Sequence, residues 1–210
     1  MFRLLNHRAG GICVTGRVSR DDETRVAIFL SSLRGGGAQR VMVTLANAFA
    51  HQGLAVDLVV VVAKGPYLKE LSPSVRVIDL KARSVARSLP RLVAYLRRER
   101  PTSILTALTH VNVVALLSCM LAGTSTRVVV SERNTHTVEA MQKLGLLARF
   151  SYRLARWLYP RAAGIVAVSD GAAEALSKQV ALPRGRITRI YNPADVADIQ
   201  RQAREGLDHP

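Results

Sequence analysis

Four short segments carry side chains able to bind or transform a ligand, and each follows an apolar run: Ser31–Gly37, Thr109–Asn112, Ser131–His136 and Ser169–Gly171. The first belongs to S-S-L-R-G-G-G-A-Q-R, in which Gly35, Gly36 and Gly37 open a helical pattern. Bare amides at a helix N-terminus bind phosphate, and glycine lets a ligand approach the main chain closely. The spacing is not G-x-G-x-x-G and no G-K-[ST] follows, so neither a dinucleotide cofactor nor a P-loop is indicated. A purely structural tight turn would use the same glycines.

S-E-R-N-T-H, Ser131–His136, gathers a carboxylate, a guanidinium, an amide and an imidazole. Arg133 could pair with a phosphate while Glu132 and Asn134 hydrogen-bond sugar hydroxyls. The other reading is a helix-capping loop with an internal Glu–Arg pair. His110 and Asn112 follow another β-rich run, where the imidazole is either a crevice group or a helix-start residue. Ser169 and Asp170 fit an N-cap and also face the same crevice. Further on, Arg149, Arg153 and Arg156 lie at i, i+4 and i+7 among Phe150, Leu154, Trp157 and Leu158. Such a face suits an anionic membrane leaflet, and equally an ordinary solvated helix.

These segments need a scaffold that brings them together, and the intervening sequence supplies one. Strand patterns at Val26–Leu30, Leu54–Ala63, Val75–Leu80, Ser103–Ala107, Arg127–Ser131 and Gly164–Val168 alternate with helical ones, with Arg186–Ile190 as a last strand. The helices are expected after the glycines, stopping near Gly53, and at Ser84–Arg100, Val111–Leu121, within Val138–Tyr159, and at Asp170–Gln179. The rhythm predicts an α/β fold, a doubly wound parallel (Rossmann-like) sheet in the order 3-2-1-4-5-6. In such a sheet ligands bind at the carboxyl ends of the strands, where the order reverses. All four chemical segments fall there.

Composition narrows the partners. Thirty Lys and Arg against 15 Asp and Glu give a net charge of +15, which draws the chain toward something anionic. Aromatic residues make up only 5% and no nucleic-acid-binding motif is present, so nucleic acid is not the expected partner. Residues 1–24 lack a continuous apolar core and read as a flexible leader rather than a signal peptide. Ile104–Gly123 is too polar for a membrane span and reads as a strand running into a buried helix. Cys13 and Cys119 match no metal spacing and read as reduced thiols of a cytoplasmic protein.

The order of G-G-G-A-Q-R, A-x-x-x-x-x-x-G-L-x-V-D-L-V, S-E-R-N, A-V-S-x-G and I-x-x-I-Y-N-P resembles the N-terminal, acceptor-side domain of family 4 GT-B glycosyltransferases, over Arg25 to Asp195. The resemblance implies a single GT-B half-domain at 25–193. It implies retaining transfer from a nucleotide-sugar, in surface polysaccharide or lipid-linked glycan synthesis, with no cofactor and no metal. Gly35–Gly37 would approach the donor diphosphate. His110 and Glu132 would be the catalytic pair beside the reacting sugar, with Asn112, Arg133, Asn134 and Ser169 on the acceptor side. Implied partners are a polyprenyl-diphosphate glycan acceptor and an anionic membrane surface faced by Arg149, Arg153 and Arg156. The protein would then sit in the cytoplasm, peripheral to the inner membrane face. Asn192-Pro193 would be the hinge into a donor domain carrying E-x₇-E. Only Glu205 stands beyond that hinge, so 194–210 reads as a truncated tail: either the chain is a fragment or truncated product, or the donor half is supplied by another chain. Inefficient transfer by this chain alone is expected. The alternative is a catalytically inactive phosphate- or lipid-binding Rossmann module or truncated remnant.

Overall fold

The computed structural model describes residues 24–133 and 146–193. Asn134, the Arg149 side chain, the leader to residue 23 and the tail from residue 194 lie outside the described residues. The chain runs β1 (Arg25–Leu30), α1 (Gly37–His51), β2 (Ala55–Val60), β3 (Val75–Asp79), α2 (Leu89–Glu99), β4 (Ser103–Ala107) and α3 (Thr109–Ala122). It continues with β5 (Arg127–Glu132), α4 (Leu146–Leu158), β6 (Gly164–Ala167), α5 (Asp170–Val180) and β7 (Thr188–Arg189).

All seven strands are parallel, in the order β3-β2-β1-β4-β5-β6-β7. The predicted order holds, and a short seventh strand extends it. The run VAIFL serves two faces at once. Ala27 and Phe29 share a cluster with Leu92 and Leu96 of α2 and Val111 and Ala115 of α3. Ile28 and Leu30 share the opposite cluster with Met42, Val43 and Ala46 of α1. Strand side chains alternate faces, so a strand covered on both sides must be apolar throughout.

α3 explains the apolar stretch from Ile104 onward. It packs between α2 and α4 and is buried along most of its length. No helix among the described residues is long and apolar enough to cross a membrane. Cys119 lies on this helix, and burial pushes its thiol up to about 12, which leaves it unreactive near neutral pH.

Several boundaries differ from the sequence expectation for local reasons. The stretch expected as one helix from Ser84 begins instead as a 3-10 turn, Ala86–Ser88, with α2 proper starting at Leu89. Pro90 sits in the first turn, where its missing N–H costs nothing. Arg100 then adopts a left-handed cap (φ 44°) before Pro101. The second strand stops at Val60 rather than Ala63, and the chain turns into a 3-10 segment at Pro66–Glu70. The last strand shortens to two residues because Arg184–Arg186 winds into another such turn.

Candidate functional site

The sheet order reverses between β1 and β4, so the crevice opens between the chain leaving β1 and the chain leaving β4. On the β1 side, Gly35 (φ 130°) and Gly36 (φ 118°) occupy backbone conformations that side-chain-bearing residues rarely adopt. They turn the chain so that α1 starts at Gly37, exposed, with no acidic residue in its first turn. A Cβ at Gly35 or Gly37 would meet nothing within 4 Å, whereas one at Gly36 would fall 2.7 Å from Gln39 Oε1, so the space beside the turn is free except where the Gln39 side chain lies over it. The loop is braced from below. Leu33 N–H donates to the Lys64 carbonyl at 2.9 Å, and a Cβ on Gly65 would fall 1.8 Å from the Leu33 carbonyl oxygen. Gly65 therefore allows the backbone contact that holds the glycine turn, a role local sequence does not reveal.

On the β4 side the chain enters α3 through Leu108, whose φ of 76° is unusual for a leucine. Its carbonyl accepts from Val111 and Asn112, both at 2.9 Å, and its N–H donates to the Ser131 carbonyl at 3.3 Å. Backbone held in such a conformation costs about 1–3 kcal/mol and concentrates at functional sites. His110, two residues on, is exposed in the first turn of α3. Local desolvation holds its imidazole below the usual histidine range, so it is neutral near pH 7.

Asn112 and Glu132 are placed differently from His110. Glu132 is 3% exposed and Asn112 fully buried, one layer beneath the crevice. Asn112 Nδ2 donates to Glu132 Oε1 at 3.0 Å and to the Tyr159 hydroxyl at 2.9 Å. Thr109 Oγ1 donates to Glu132 Oε2 at 3.2 Å, and the Tyr159 hydroxyl donates to Glu132 Oε1. Tyr152 joins through Thr109. Burial pushes the Glu132 carboxyl up, and the three donors offset this only in part. Two side chains of α3 and the tyrosine that follows α4 thus meet on one β5 carboxyl group that solvent does not reach. Tyr159 was not visible as a site residue: its one signal is a tyrosine after an amphipathic helix, and its partner lies 27 residues away.

Arg133 follows β5 and is half-buried, with one guanidinium nitrogen donating to Asn192 Oδ1. Its Nε is buried with no hydrogen-bond partner among the described residues, as are Asn112 Oδ1 and Ser131 Oγ. Ser169 caps α5, its Oγ accepting from Ala172 N–H at 3.1 Å. Asp170 beside it is engaged by Arg184 and Arg189. On α4, Arg153 and Arg156 are exposed, and so are Phe150 (60%) and Trp157 (74%), while Tyr152, Ala155 and Leu158 face the core.

A family model described as Glycosyltransferase Family 4 matches residues 35–198. The chain belongs to glycosyltransferase family 4. No curated protein matches by sequence. Solved structures match in fold. Sucrose-phosphate synthase from Thermosynechococcus elongatus is 18% identical with a TM-score of 0.63, over 89% of this chain and 54% of that one. HepE of Anabaena in complex with UDP-glucose is 16% identical (TM-score 0.59, 85% and 49%). The apo lipopolysaccharide outer core galactosyltransferase WaaB is 13% identical (TM-score 0.58, 82% and 46%). At these identities the likeness is one of fold, and this family 4 chain spans about half the length of the structures it matches.

Proposed function

We propose that this chain forms the acceptor-side half of a retaining, nucleotide-sugar-dependent glycosyltransferase that builds a surface or lipid-linked glycan at an anionic membrane face. One observation carries the reading: the exposed, acid-free N-terminus of α1 stands at the switch point, on the same carboxyl edge of the sheet as the chain segments that hold His110 and Arg133. As the bond between sugar and diphosphate breaks, negative charge grows on the diphosphate. Bare amides and the positive end of a helix dipole stabilise that charge. The guanidinium of Arg133, half-buried where the chain leaves β5, adds a positive charge on the same edge. His110, being neutral, hydrogen-bonds the sugar or the acceptor hydroxyl. Glu132 and Asn112 act from beneath, fixing α3 to the end of β5. No metal or cofactor takes part.

Fold relatives support the choice of donor, since HepE is described with UDP and with UDP-glucose. The name of WaaB supports a glycan acceptor. Exposed Phe150 and Trp157 beside Arg153 and Arg156 support contact with an anionic bilayer. The reaction also needs a half that grips the nucleotide, on this protein or on another chain.

The full chain, alone and with a family 4 donor half, is to be assayed with UDP-sugars and a polyprenyl-diphosphate acceptor. Transfer that appears only with both halves, and falls about 100-fold in His110→Ala or Arg133→Ala, is the expected result. Absence of transfer with every donor half, from a folded chain, overturns the reading in favour of a phosphate-binding module.

A further inference from the structure

We propose a second anion site, for a phosphate or diphosphate group, at the carboxyl end of β3, formed by Lys81, Arg83 and Arg87. The chain leaving β3 lines an open cavity of about 380 Å³ with Lys81, Ala82, Arg83, Arg87, Pro90 and Arg91. That volume lies at the small end of ligand pockets. Arg91 is committed to the fold, donating to the carbonyls of Leu80 (2.6 Å) and Lys81. Lys81, Arg83 and Arg87 are exposed, and none forms an ion pair among the described residues. Three unpaired cations around one cavity raise the positive potential there and attract an anion. The neighbouring acid, Asp79, is used on the backbone: its Oδ1 accepts from Lys81 N–H at 2.8 Å, where Lys81 is left-handed (φ 48°).

The start of α2 does not oppose the sign. Pro90 lies in its first turn and lines the same cavity, and that turn holds no acidic residue. A larger cavity of about 530 Å³ beside Arg97 and Arg100 lacks this logic. There Arg97 caps the Leu121 and Ala122 carbonyls, and the helices present their negative ends. β3 is two strands from β1, about 10 Å along the same sheet edge. Lys81, Arg83 and Arg87 follow β3, whereas the glycine turn follows β1, so the two sites lie at different strand ends. This inference stands without the transferase reading.

The test titrates the full chain with inorganic pyrophosphate, following backbone amides by NMR. Shifts at residues 81–91 are expected, with at least tenfold weaker binding in Lys81→Asn/Arg83→Ser/Arg87→Ser, where asparagine tolerates the left-handed backbone. Arg83→Glu, which leaves the turn untouched, should weaken binding as well, with melting unchanged. Equal affinity in both variants, or shifts confined to Gly35–Gly37, overturns the proposal. Vesicles of phosphatidylglycerol, against phosphatidylcholine alone, identify the source. Vesicle binding lost in Arg83→Glu assigns a lipid headgroup. Vesicle binding retained while pyrophosphate binding is lost assigns a soluble or acceptor-borne phosphate.

Discussion

Asp57, on β2, and Glu132, on β5, are both buried carboxylates of one sheet, and their surroundings are opposite. Asp57 lies near the amino ends of the strands, where Arg25 donates at 3.0 Å, Arg76 at 2.8 and 2.6 Å, and the Tyr95 hydroxyl at 2.6 Å. Burial alone would raise its carboxyl. The hydrogen bonds from Arg76 and Tyr95 and the two guanidinium charges outweigh that and hold it low. Glu132 sits toward the carboxyl ends with only neutral donors, and burial leaves it high. The amino edge is thus fully compensated and stabilises the fold. The crevice edge keeps an uncompensated carboxyl, buried polar atoms without a partner among the described residues, and a strained leucine. Of the two buried carboxylates, the one left without a counter-charge is on the edge where such a sheet binds.

Breaking the paired side should cost most. Asp57→Asn leaves Arg25 and Arg76 without a counter-charge and should destabilise by about 3 kcal/mol, the low end for a broken buried pair because Arg76 is half exposed. Its denaturant midpoint reads this directly. Next, Tyr159→Phe removes a donor from Glu132 and should cost about 1.5 kcal/mol. An equal loss in Tyr159→Phe and Asp57→Asn would erase the contrast.

Acid should separate the two carboxylates. Asp57, lowered in the fold, stabilises at pH above about 4, and that stability is lost as pH falls through its folded value. Glu132, raised in the fold, has the opposite sign. Its burial penalty is absent below about pH 4 and grows as pH rises toward its folded value. Melting curves of wild type and Asp57→Asn should therefore converge in strong acid. The smallest effect belongs to Glu132→Gln, which should stabilise by less than about 1 kcal/mol at pH 8 and not at all at pH 4. Stabilisation of the same size at both pH values would mean that charge is not what distinguishes this side.

Much of the scaffold was legible. VAIFL, RVVVS and GIVAV declare strands covered on both faces, and their alternation with helical patterns fixes the sheet order. The glycine turn and the carboxyl-edge placement of His110 and Arg133 follow from the same reading. What sequence hid was long-range. Asp57 stands in the run LAVDLVV, and its partners come from three other elements up to 38 residues away. Glu132 and Asn112 read as crevice residues by position, yet Tyr159 closes over them because α4 packs on α3. Leu108 gives no local hint of its positive φ. On α4, spacing grouped Phe150 and Trp157 with Leu154 and Leu158, whereas packing against α3 buries Leu158 and leaves the two aromatics outside.

The central claim is that the crevice edge, not the amino edge, receives the nucleotide diphosphate. An amide-resolved titration of the full chain with UDP tests it most directly. The account predicts shifts at Gly35–Gln39 and at 108–112, with the amino-edge rim formed by Arg97, Arg100 and residues 122–125 unmoved. Shifts confined to that amino-edge rim, with the glycine turn silent at saturating UDP, would contradict it.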